Sequence, residues 1–337
     1  MKQLGSLVYS LYERSGERAR RWFGLLKRVA LLPCSLRLRC CRFEIRVGDA
    51  NPPHPAIYIG EGLSLSYYLH LLRPNTPQPR ADRIPLWRLR QTVRAAAAEA
   101  PVVLVEVNQL LGRFLPGGGL TAEAWVRHET DLRGALYQHR RRGIERSFGQ
   151  QVRSHGYTCR FSHEPAVLEQ FHRDYYVPYV TWRHGHLAAP RSLGELRRAL
   201  RSGFLLQVWK EQQWVSGLLV SRLGQRRIQL WAVGRRCGEG EDPHDGAVSA
   251  TYYFLFEWAV EQDLDIVDFL GTRPHLGDGV FRHKSLWAAE PKADPWHHTA
   301  IVFYVDGRAN LPAAVTQQLV RSERGFVTIG ERLNPPR

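Results

Sequence analysis

Cysteines are few, and their spacing suggests neither disulfides nor metal ligands. The 337 residues include five, Cys34, Cys40, Cys41, Cys159 and Cys237, which is an odd number without a Cys-x-x-Cys pair or a Cys/His ligand pattern. The sequence therefore predicts neither a disulfide framework nor a zinc site. We expect a reducing, cytoplasmic environment and no bound metal ion.

Long apolar runs are also missing. No stretch of 18 apolar residues occurs, and the N-terminal segment has no small-residue cleavage site. The sequence predicts neither a transmembrane helix nor a signal peptide. No repeat of fixed length occurs, which argues against a solenoid. With 44% hydrophobic and 23% charged residues, the composition is that of a globular protein.

Acidic residues are scarce relative to basic ones. Asp and Glu number 32 against 47 Lys and Arg, for a net charge of +15, and residues 1–48 alone hold eleven basic and three acidic side chains. In that segment Trp22, Leu25, Leu26 and Val29 recur at helical spacing. Two interpretations stay open: a basic amphipathic helix on the anionic inner face of a membrane, or a helix docked on the core with a solvated arginine face.

The rest of the chain alternates predicted strands and helices. "FEIRV", "AIYIG" and "PVVLVEV" have strand patterns, whereas "PLWRLRQTVRAAAAEA" and the stretch from "TAEAW" to "VRSHG" have helical ones. Two helices follow, then the strands "FLLQVWK", "QWVSGLLVSRL" and "RRIQLWAVG", the helix "AVSATYYFLFEWAVEQ" and the strand "LDIVDFL". This order predicts a mixed α/β fold in which a helix crosses between an antiparallel meander and a neighbouring strand.

The same features predict five segments. We expect a basic amphipathic segment at 1–42, a smaller α/β lobe at 43–115, a helical arginine-rich connector at 116–150, a larger lobe at 151–310 and a tail at 311–337.

Three strings carry a resemblance to a known family. They are "YYVPYVTWRHGHLA" (175–188), "YYFLFEWAVEQDLDIVDFLGTRP" (252–274) and "DGVFRHKSLW" (278–287). In this order they resemble the FemAB-like branch of the GNAT acyltransferase superfamily, over residues 120–305. Ala288 stands where that branch usually has a glycine.

The resemblance implies two GNAT-like lobes, of which the first is degenerate. It also implies transfer of an acyl group from acyl-CoA or aminoacyl-tRNA to an amine or hydroxyl of a cell-envelope acceptor, such as a saccharide or peptidoglycan precursor. Acyl-CoA would act as a co-substrate, without a permanently bound cofactor, and no DNA partner is expected.

A loop for the CoA pyrophosphate would follow the pattern Q/R-x-x-G-x-G/A. The sequence offers Arg235, Gly238 and Gly240 in "RRCGEG". However, "EDPHDG" separates this string from the next helix and places acidic side chains beside it, so a solvated turn-rich loop is the alternative.

Asp268 alternates with Ile266 and Leu270 on one face of a predicted buried strand. A buried carboxylate needs a cation, and the candidates nearest in sequence are Arg273 and Lys284. The pair could be structural, or Asp268 could act in catalysis while Arg273 binds substrate, because the ends of such strands face the ligand crevice.

Lys284 is the principal catalytic candidate. Between aromatic residues its ammonium could be partly desolvated and stabilise a phosphate or a developing oxyanion. The resemblance implies a lysine here near the phosphates of the acyl donor, with Asp278 and Trp287 of the same string as substrate contacts. A surface lysine packed along Trp287 is the alternative.

"YVTWRHGHL" supplies further candidates. Arg183 could bind a carboxylate or phosphate, and His184 or His186 could act as a general base. Tyr179 and Trp182 could line a substrate groove, although aromatic residues at such spacing more often belong to a core.

Two other functional classes compete with the transferase. The charge of +15 and the runs "RARR" and "HRRRG" are compatible with nucleic-acid binding. A GNAT-like lobe could also bind a ligand or partner without catalysis. An aminoacyl-tRNA donor would reconcile the basic surface with the transferase interpretation.

Overall fold

The computed structural model describes residues 8–9, 11–12, 15, 17–45, 54–72, 81–185, 188–237, 246–307, 309, 311–323 and 325–335. The chain divides into two compact units. We call Met1–Arg14, Arg127–Leu270 and His283–Glu290 the meander unit. The six-stranded unit consists of Ser15–Val126, Gly271–Arg282 and Pro291–Arg337.

The strands of the described residues are β1 Arg37–Ile45, β2 His54–Gly60, β3 Ala81–Pro85, β4 Val102–Asn108, β5 Leu120–Glu123, β6 Val126–Asp131, β7 Tyr157–Ser162, β8 Gly203–Lys210, β9 Gln213–Arg222, β10 Arg227–Arg235, β11 Ile266–Thr272, β12 Glu290–Ala293, β13 Thr299–Val305, β14 Leu319–Ser322 and β15 Gly325–Thr328.

The α-helices are α1 Glu17–Ala30, α2 Leu65–Leu72, α3 Leu89–Glu99, α4 Ala135–Ile144, α5 Gln150–Ser154, α6 Pro165–Gln170, α7 Val177–His184, α8 Leu193–Leu200, α9 Ala247–Glu261, α10 Gly279–Leu286, α11 Ala313–Thr316 and α12 Ile329–Leu333. Single π-helical segments, Glu145–Gly149 and Phe171–Tyr176, join α4 to α5 and α6 to α7.

In the sheet of the meander unit, strands β6-β11-β10-β9-β8-β7 are neighbours in this order. Strands β8, β9 and β10 form the predicted antiparallel meander, and β11 pairs with β10 in parallel after the crossing helix α9. A parallel neighbour requires such a crossover, because a tight turn can only reverse the chain. The predicted mixed α/β fold with a GNAT-like lobe is therefore confirmed.

Helices cover both faces of this sheet. Leu206 and Leu218 point to the face where α9 packs, whereas Leu205 and Leu219 pack on the side of α6 and α8. Successive residues of a strand point to opposite faces, so strands buried on both sides are apolar at consecutive positions. Burial on both faces therefore explains the apolar runs "FLL" and "GLLV", which predicted these strands.

The six-stranded unit repeats part of this plan. Its sheet has the order β3-β1-β2-β4-β13-β5, and β2 and β4 are parallel neighbours with α2, β3 and α3 between them in sequence. The alternation of strands and helices agrees with the α/β unit predicted for the smaller lobe. Among the described residues, no helix is long and apolar enough to cross a membrane.

The predicted helix from residue 121 onward is wrong in its first part. Strands β5 and β6 occupy Leu120–Glu123 and Val126–Asp131, and helix begins only at Ala135. The residues of "TAEAW" favour helix locally, but pairing of Leu120–Glu123 with Ala300–Phe303 of β13 overrides that preference.

The unit boundaries also differ from the predicted segments. Strand β13, Thr299–Val305, lies within the predicted larger lobe of 151–310 but pairs with β4, Thr299 lying opposite Asn108. Residues 291–337 therefore complete the six-stranded unit rather than extending the larger lobe and a tail.

Candidate active site

Strands β10 and β11 separate in the middle of the meander-unit sheet. Their parallel pairing spans only three residue pairs, from Arg227–Ile266 to Gln229–Asp268, although β10 continues to Arg235. A bulge in β10 between Leu230 and Ala232 accompanies the separation. Ligand crevices of open α/β sheets lie at the carboxyl ends of the strands, which makes this gap the candidate site.

Helices from both faces of the sheet contribute to the gap. Tyr252 of α9 stacks on Phe269 of β11, with ring centroids 5.8 Å apart. From the opposite face, Arg183 of α7 is near enough that its positive charge lowers the pKa of the His283 ring. Arg183 also donates a hydrogen bond from Nη1 to the hydroxyl of Tyr179, at 2.5 Å. The separated strands thus allow Arg183 to act electrostatically on groups at α9 and α10.

Local chain chemistry sets the position of α7. Pro178 in its first turn cannot donate a backbone hydrogen bond, and the preceding turn is widened into the π-helical segment. Gly234 of β10 lets this segment approach closely, because an added Cβ would lie 2.8 Å from Tyr175 backbone atoms. The helix ends at Gly185, whose φ of 51° favours glycine.

Lys284 lies at the carboxyl end of β11, with 7% of its surface exposed. Its Nζ donates to the Leu270 carbonyl at 3.1 Å. Leu270 itself has a φ of 62°, so the strand turns where it presents this carbonyl. The alternative of a solvated lysine packed along Trp287 is wrong, because Lys284 is buried.

Trp287 is fully buried in the core of the meander unit. It stacks on Phe148 at 4.6 Å and on Tyr252 at 5.5 Å. This placement makes it a packing residue beneath the site. Ala288 next to it has a φ of 57°, so the turn expected there forms without a glycine.

Asp268 belongs to a buried ion network. It accepts hydrogen bonds from Arg127 at 2.6 Å and Arg227 at 2.6 Å, and both arginines also lie beside Glu129. The proposed partners Arg273 and Lys284 are therefore wrong for Asp268. Two cations and two carboxylates balance one another, as burial of charge requires.

The network also positions the candidate lysine. Burial alone would raise the pKa of Asp268, but the charges of Arg127 and Arg227 outweigh burial and lower it to about 2. The ionised carboxylate accepts a hydrogen bond from the Leu270 amide at 2.9 Å. Asp268 thus fixes the residue whose carbonyl binds Lys284, which makes it a positioning residue.

Two histidines adjoin Lys284. Burial, together with the Lys284 charge, lowers the pKa of His128 to about 3. Burial, Arg183 and Lys284 lower the pKa of His283 to about 4. Both rings are therefore neutral at pH 7. Lys284 and Arg183 place two positive charges near the gap, an arrangement that suits an anionic group or a developing oxyanion.

His283 has further features of a reactive group. Its ring contacts Tyr252 edge-on, with centroids 4.8 Å apart. Its Nε2 is buried and forms no hydrogen bond within the described part of the chain. A neutral imidazole with an available nitrogen beside Lys284 could accept a proton.

The predicted residues at the end of α7 differ in exposure. Tyr179 is buried, whereas Trp182, Arg183 and His184 are exposed. The Trp182 and Tyr179 rings lie 6.1 Å apart. The structure thus places Arg183 and Tyr179 at the gap and His184 at the solvated helix end, while His186 lies outside the described residues.

Two further predicted residues belong to the six-stranded unit. Arg273 lies between the rings of Tyr67 and Trp125 and donates to Ser64 Oγ at 2.8 Å. Asp278 accepts from the amides of residues 280 and 281 at the start of α10, as a helix cap does. Both placements have a structural explanation.

Of the three residues predicted for the CoA loop, the structure describes only Arg235. Arg235 is buried at the end of β10, and its Nε donates to the Arg236 carbonyl at 3.2 Å. Gly238 and Gly240 lie outside the described residues. Within the described ranges, no three His, Cys, Asp or Glu side chains are grouped as metal ligands.

Sequence reasoning missed Arg127, His128, Arg227 and His283. The predicted helix included Arg127 and His128, whereas both residues belong to strand β6. The alternation "VRHETD", with charged residues at every second position, was a strand signal. His283 directly precedes Lys284, but the chain has fourteen histidines and no sequence signal singled out this one.

No protein-family model and no curated protein matches the chain. Among solved structures, L-PGS from Bacillus licheniformis has 13% identity and a TM-score of 0.37, and the match covers 81% of this chain and 82% of that one. FemX has 12% identity and a TM-score of 0.39, with 77% and 83% covered.

A tandem GNAT protein from the clavulanic acid biosynthesis pathway also matches. It has 13% identity and a TM-score of 0.29, with 68% of this chain and 74% of that chain covered. The GNAT-like order of elements in the present chain follows from its own strand pairing.

Proposed function

We propose that the protein transfers an acyl group from acyl-CoA or aminoacyl-tRNA to an amine or hydroxyl of a cell-envelope or polysaccharide-type acceptor. The observation that carries this proposal is the buried ammonium of Lys284, which Leu270 holds at the carboxyl end of β11, where β10 and β11 separate. A fixed, poorly solvated positive charge stabilises a developing negative charge far better than a mobile solvated one.

The reaction proceeds by direct attack of the acceptor on the donor carbonyl. A C–N or C–O bond forms, and the carbonyl oxygen becomes an oxyanion beside Lys284. His283 Nε2 takes the proton from the attacking group. When the tetrahedral intermediate collapses, the C–S bond to CoA or the C–O bond to tRNA breaks, and the proton passes to the leaving group. The site requires no serine or cysteine nucleophile.

Arg183 has a binding role in this scheme. Its guanidinium lies at the exposed end of α7 and is oriented by the Tyr179 hydroxyl. A guanidinium binds a carboxylate or phosphate through paired hydrogen bonds. We assign it to an anionic group of the donor or acceptor.

The pH dependence tests the assignment of His283. Since its pKa is lowered to about 4, the ring stays able to accept a proton down to mildly acidic pH. We expect kcat/KM to fall only near pH 4, and His283→Gln to lower kcat by about 100-fold. His184→Gln is the matched control and should leave both unchanged. A fall of kcat/KM with an apparent pKa of about 6.5, the ordinary value for a solvated imidazole, would contradict the assignment.

The donor is identified by direct binding. We would measure thermal stabilisation with acetyl-CoA, longer acyl-CoAs and CoA at low and moderate salt. A ligand at 100 times its Kd adds about 2.7 kcal/mol of stability. Binding that persists at moderate salt and weakens in Lys284→Ala supports a CoA donor. Absence of binding by every thioester would exclude that donor and favour aminoacyl-tRNA or a non-catalytic role.

A specific surface favours the tRNA donor as the second candidate. Arg141, Arg142, Arg146 and Arg153 line a groove of about 460 Å³ along α4 and α5 of the meander unit. Glu145, the acidic residue of the groove, accepts hydrogen bonds from Arg153 and Tyr253. The groove is thus strongly basic, as a phosphate backbone requires.

Salt dependence of RNA binding tests the groove. Replacing Arg142 and Arg146 by Gln should weaken binding of unacylated tRNA at every sequence, and should lower the slope of log K against log salt by about 1 for each phosphate that the variant no longer neutralises. Arg173→Gln, on another helical segment and paired with Asp174, is the control. An unchanged slope in the double variant would show that RNA does not use this groove.

A further inference from the structure

Helix α1 turns its apolar side toward solvent. Trp22, Leu25, Leu26 and Val29 lie on one face, at the spacing i, i+3, i+4 and i+7. All four are exposed, Trp22 at 66% and Leu26 at 63%. This reverses the expectation of a helix docked through its apolar residues with a solvated arginine face.

The opposite side of α1 docks on the six-stranded unit. Gly24 is buried so tightly that an added Cβ would lie 2.2 Å from the Pro295 carbonyl oxygen. Lys27 Nζ lies 3.9 Å from the centroid of the Trp296 ring, and burial lowers the pKa of Lys27 to about 8. The Arg28 carbonyl accepts from Asn108 Nδ2 at 2.8 Å. The docked face is therefore fixed, and rotation of α1 cannot bury the apolar face.

The charge of α1 indicates what covers the apolar face. After Glu17 the helix contains Arg18, Arg20, Arg21, Lys27 and Arg28 and no acidic residue. Arg18 and Arg21 are exposed next to the apolar residues. An apolar stripe with tryptophan, bordered by arginines, matches an anionic membrane surface, where the stripe enters the acyl boundary and the cations meet the headgroups.

We propose that α1 binds the surface of an anionic phospholipid membrane through Trp22, Leu25, Leu26 and Val29. At 14 residues the helix is about 21 Å long, so it lies in the interface and does not span the hydrocarbon core of about 30 Å. This inference goes beyond the proposed acyl transfer. None of its residues belongs to the candidate active site, so either proposal can fail without the other.

Vesicle binding of the full chain tests the proposal. We expect sedimentation with vesicles of phosphatidylglycerol and phosphatidylcholine at low and moderate salt, and much weaker binding to phosphatidylcholine alone. Trp22→Gln with Leu26→Gln should lower the partition coefficient by about tenfold or more at every salt concentration. Arg18→Gln with Arg21→Gln should reduce binding mainly at low salt.

Trp87→Gln is the matched control, because Trp87 is an 82% exposed tryptophan of the same unit outside α1. The Trp87→Gln variant should bind vesicles as the unaltered chain does. All variants should have the melting temperature of the unaltered chain, because the replaced side chains are exposed. The proposal is overturned if the unaltered chain does not bind anionic vesicles, or if the Trp22/Leu26 variant binds equally well. It is also overturned if the chain dimerises and that variant is monomeric, since a second copy would then cover the face.

Discussion

We expect Lys284→Ala to lower kcat by about 100- to 1,000-fold, the cost of removing one group that stabilises an oxyanion. The buried ammonium cannot be replaced by water without rearranging the residues that enclose it. Its hydrogen bond to the Leu270 carbonyl, which involves a charged donor, contributes about 1.5–3 kcal/mol to folding, a part of the total stability. The variant should therefore stay folded, with a melting temperature within a few degrees of the original. Steady-state turnover with the donor found by the binding screen, together with thermal unfolding, measures both.

Lys210→Ala is the matched control, because Lys210 is an exposed lysine at the end of β8 in the same unit. It should leave kcat unchanged. If Lys284→Ala turns over at the original rate, the oxyanion role of Lys284 is excluded. A Lys284→Ala variant that is inactive because it is unfolded would instead assign the lysine to folding, and the melting temperature distinguishes these outcomes.

The second large effect concerns stability. Asp268→Asn should lower the free energy of unfolding by about 3–5 kcal/mol, because it leaves the buried Arg127 and the partly buried Arg227 without their shared carboxylate. Urea unfolding measures this loss. Asp263→Asn is the control: Asp263 pairs with Arg133 and Arg226 but is 80% exposed, so its loss should cost less than ~1 kcal/mol. Similar losses in the two variants would show that the Asp268 network adds no more stability than surface pairs.

Urea unfolding at different pH values separates the contribution of the Asp268 charge to stability from that of packing. The folded-state pKa of Asp268 is depressed to about 2, below the value of ~4 in an unfolded chain. Its contribution, on the order of 2 kcal/mol, is fully present above pH 4 and is lost as the pH falls toward 2. The Asp268→Asn variant should lack this part of the acid dependence. An unchanged acid profile would show that other carboxylates dominate it.

The Lys284 and Asp268 predictions rest on one arrangement. The carboxylate holds the Leu270 amide, and the Leu270 carbonyl holds Lys284. Asp268→Asn should therefore also reduce kcat, by less than Lys284→Ala does, whereas Asp263→Asn should not.

Much of the larger lobe could be predicted because its signals are local. Strands β8, β9 and β10 are continuous apolar runs separated by short polar turns, and α9 is apolar over four turns. These patterns depend on burial of each segment and need no knowledge of its neighbours. The sequence also predicted that Asp268 needs a cation, since burying an ionised carboxylate without a partner costs too much free energy.

Other features could not be predicted because they depend on partners far along the chain. Arg127 lies 141 positions before Asp268, in a segment with a helical local preference that sheet pairing overrides. Sequence periodicity identified the apolar stripe of α1 but not its direction, which Gly24 and its contact with Pro295 decide.

The sequence alone determined the mixed α/β class, the meander with its crossing helix, the absence of a long apolar run and the candidacy of Lys284. Only the tertiary structure decided which cations neutralise Asp268, which histidine lies beside the lysine and which side of α1 meets solvent. Secondary structure follows from patterns within a few turns of chain. Charge pairing, pKa shifts and exposure arise from side chains that folding brings together across more than 100 residues.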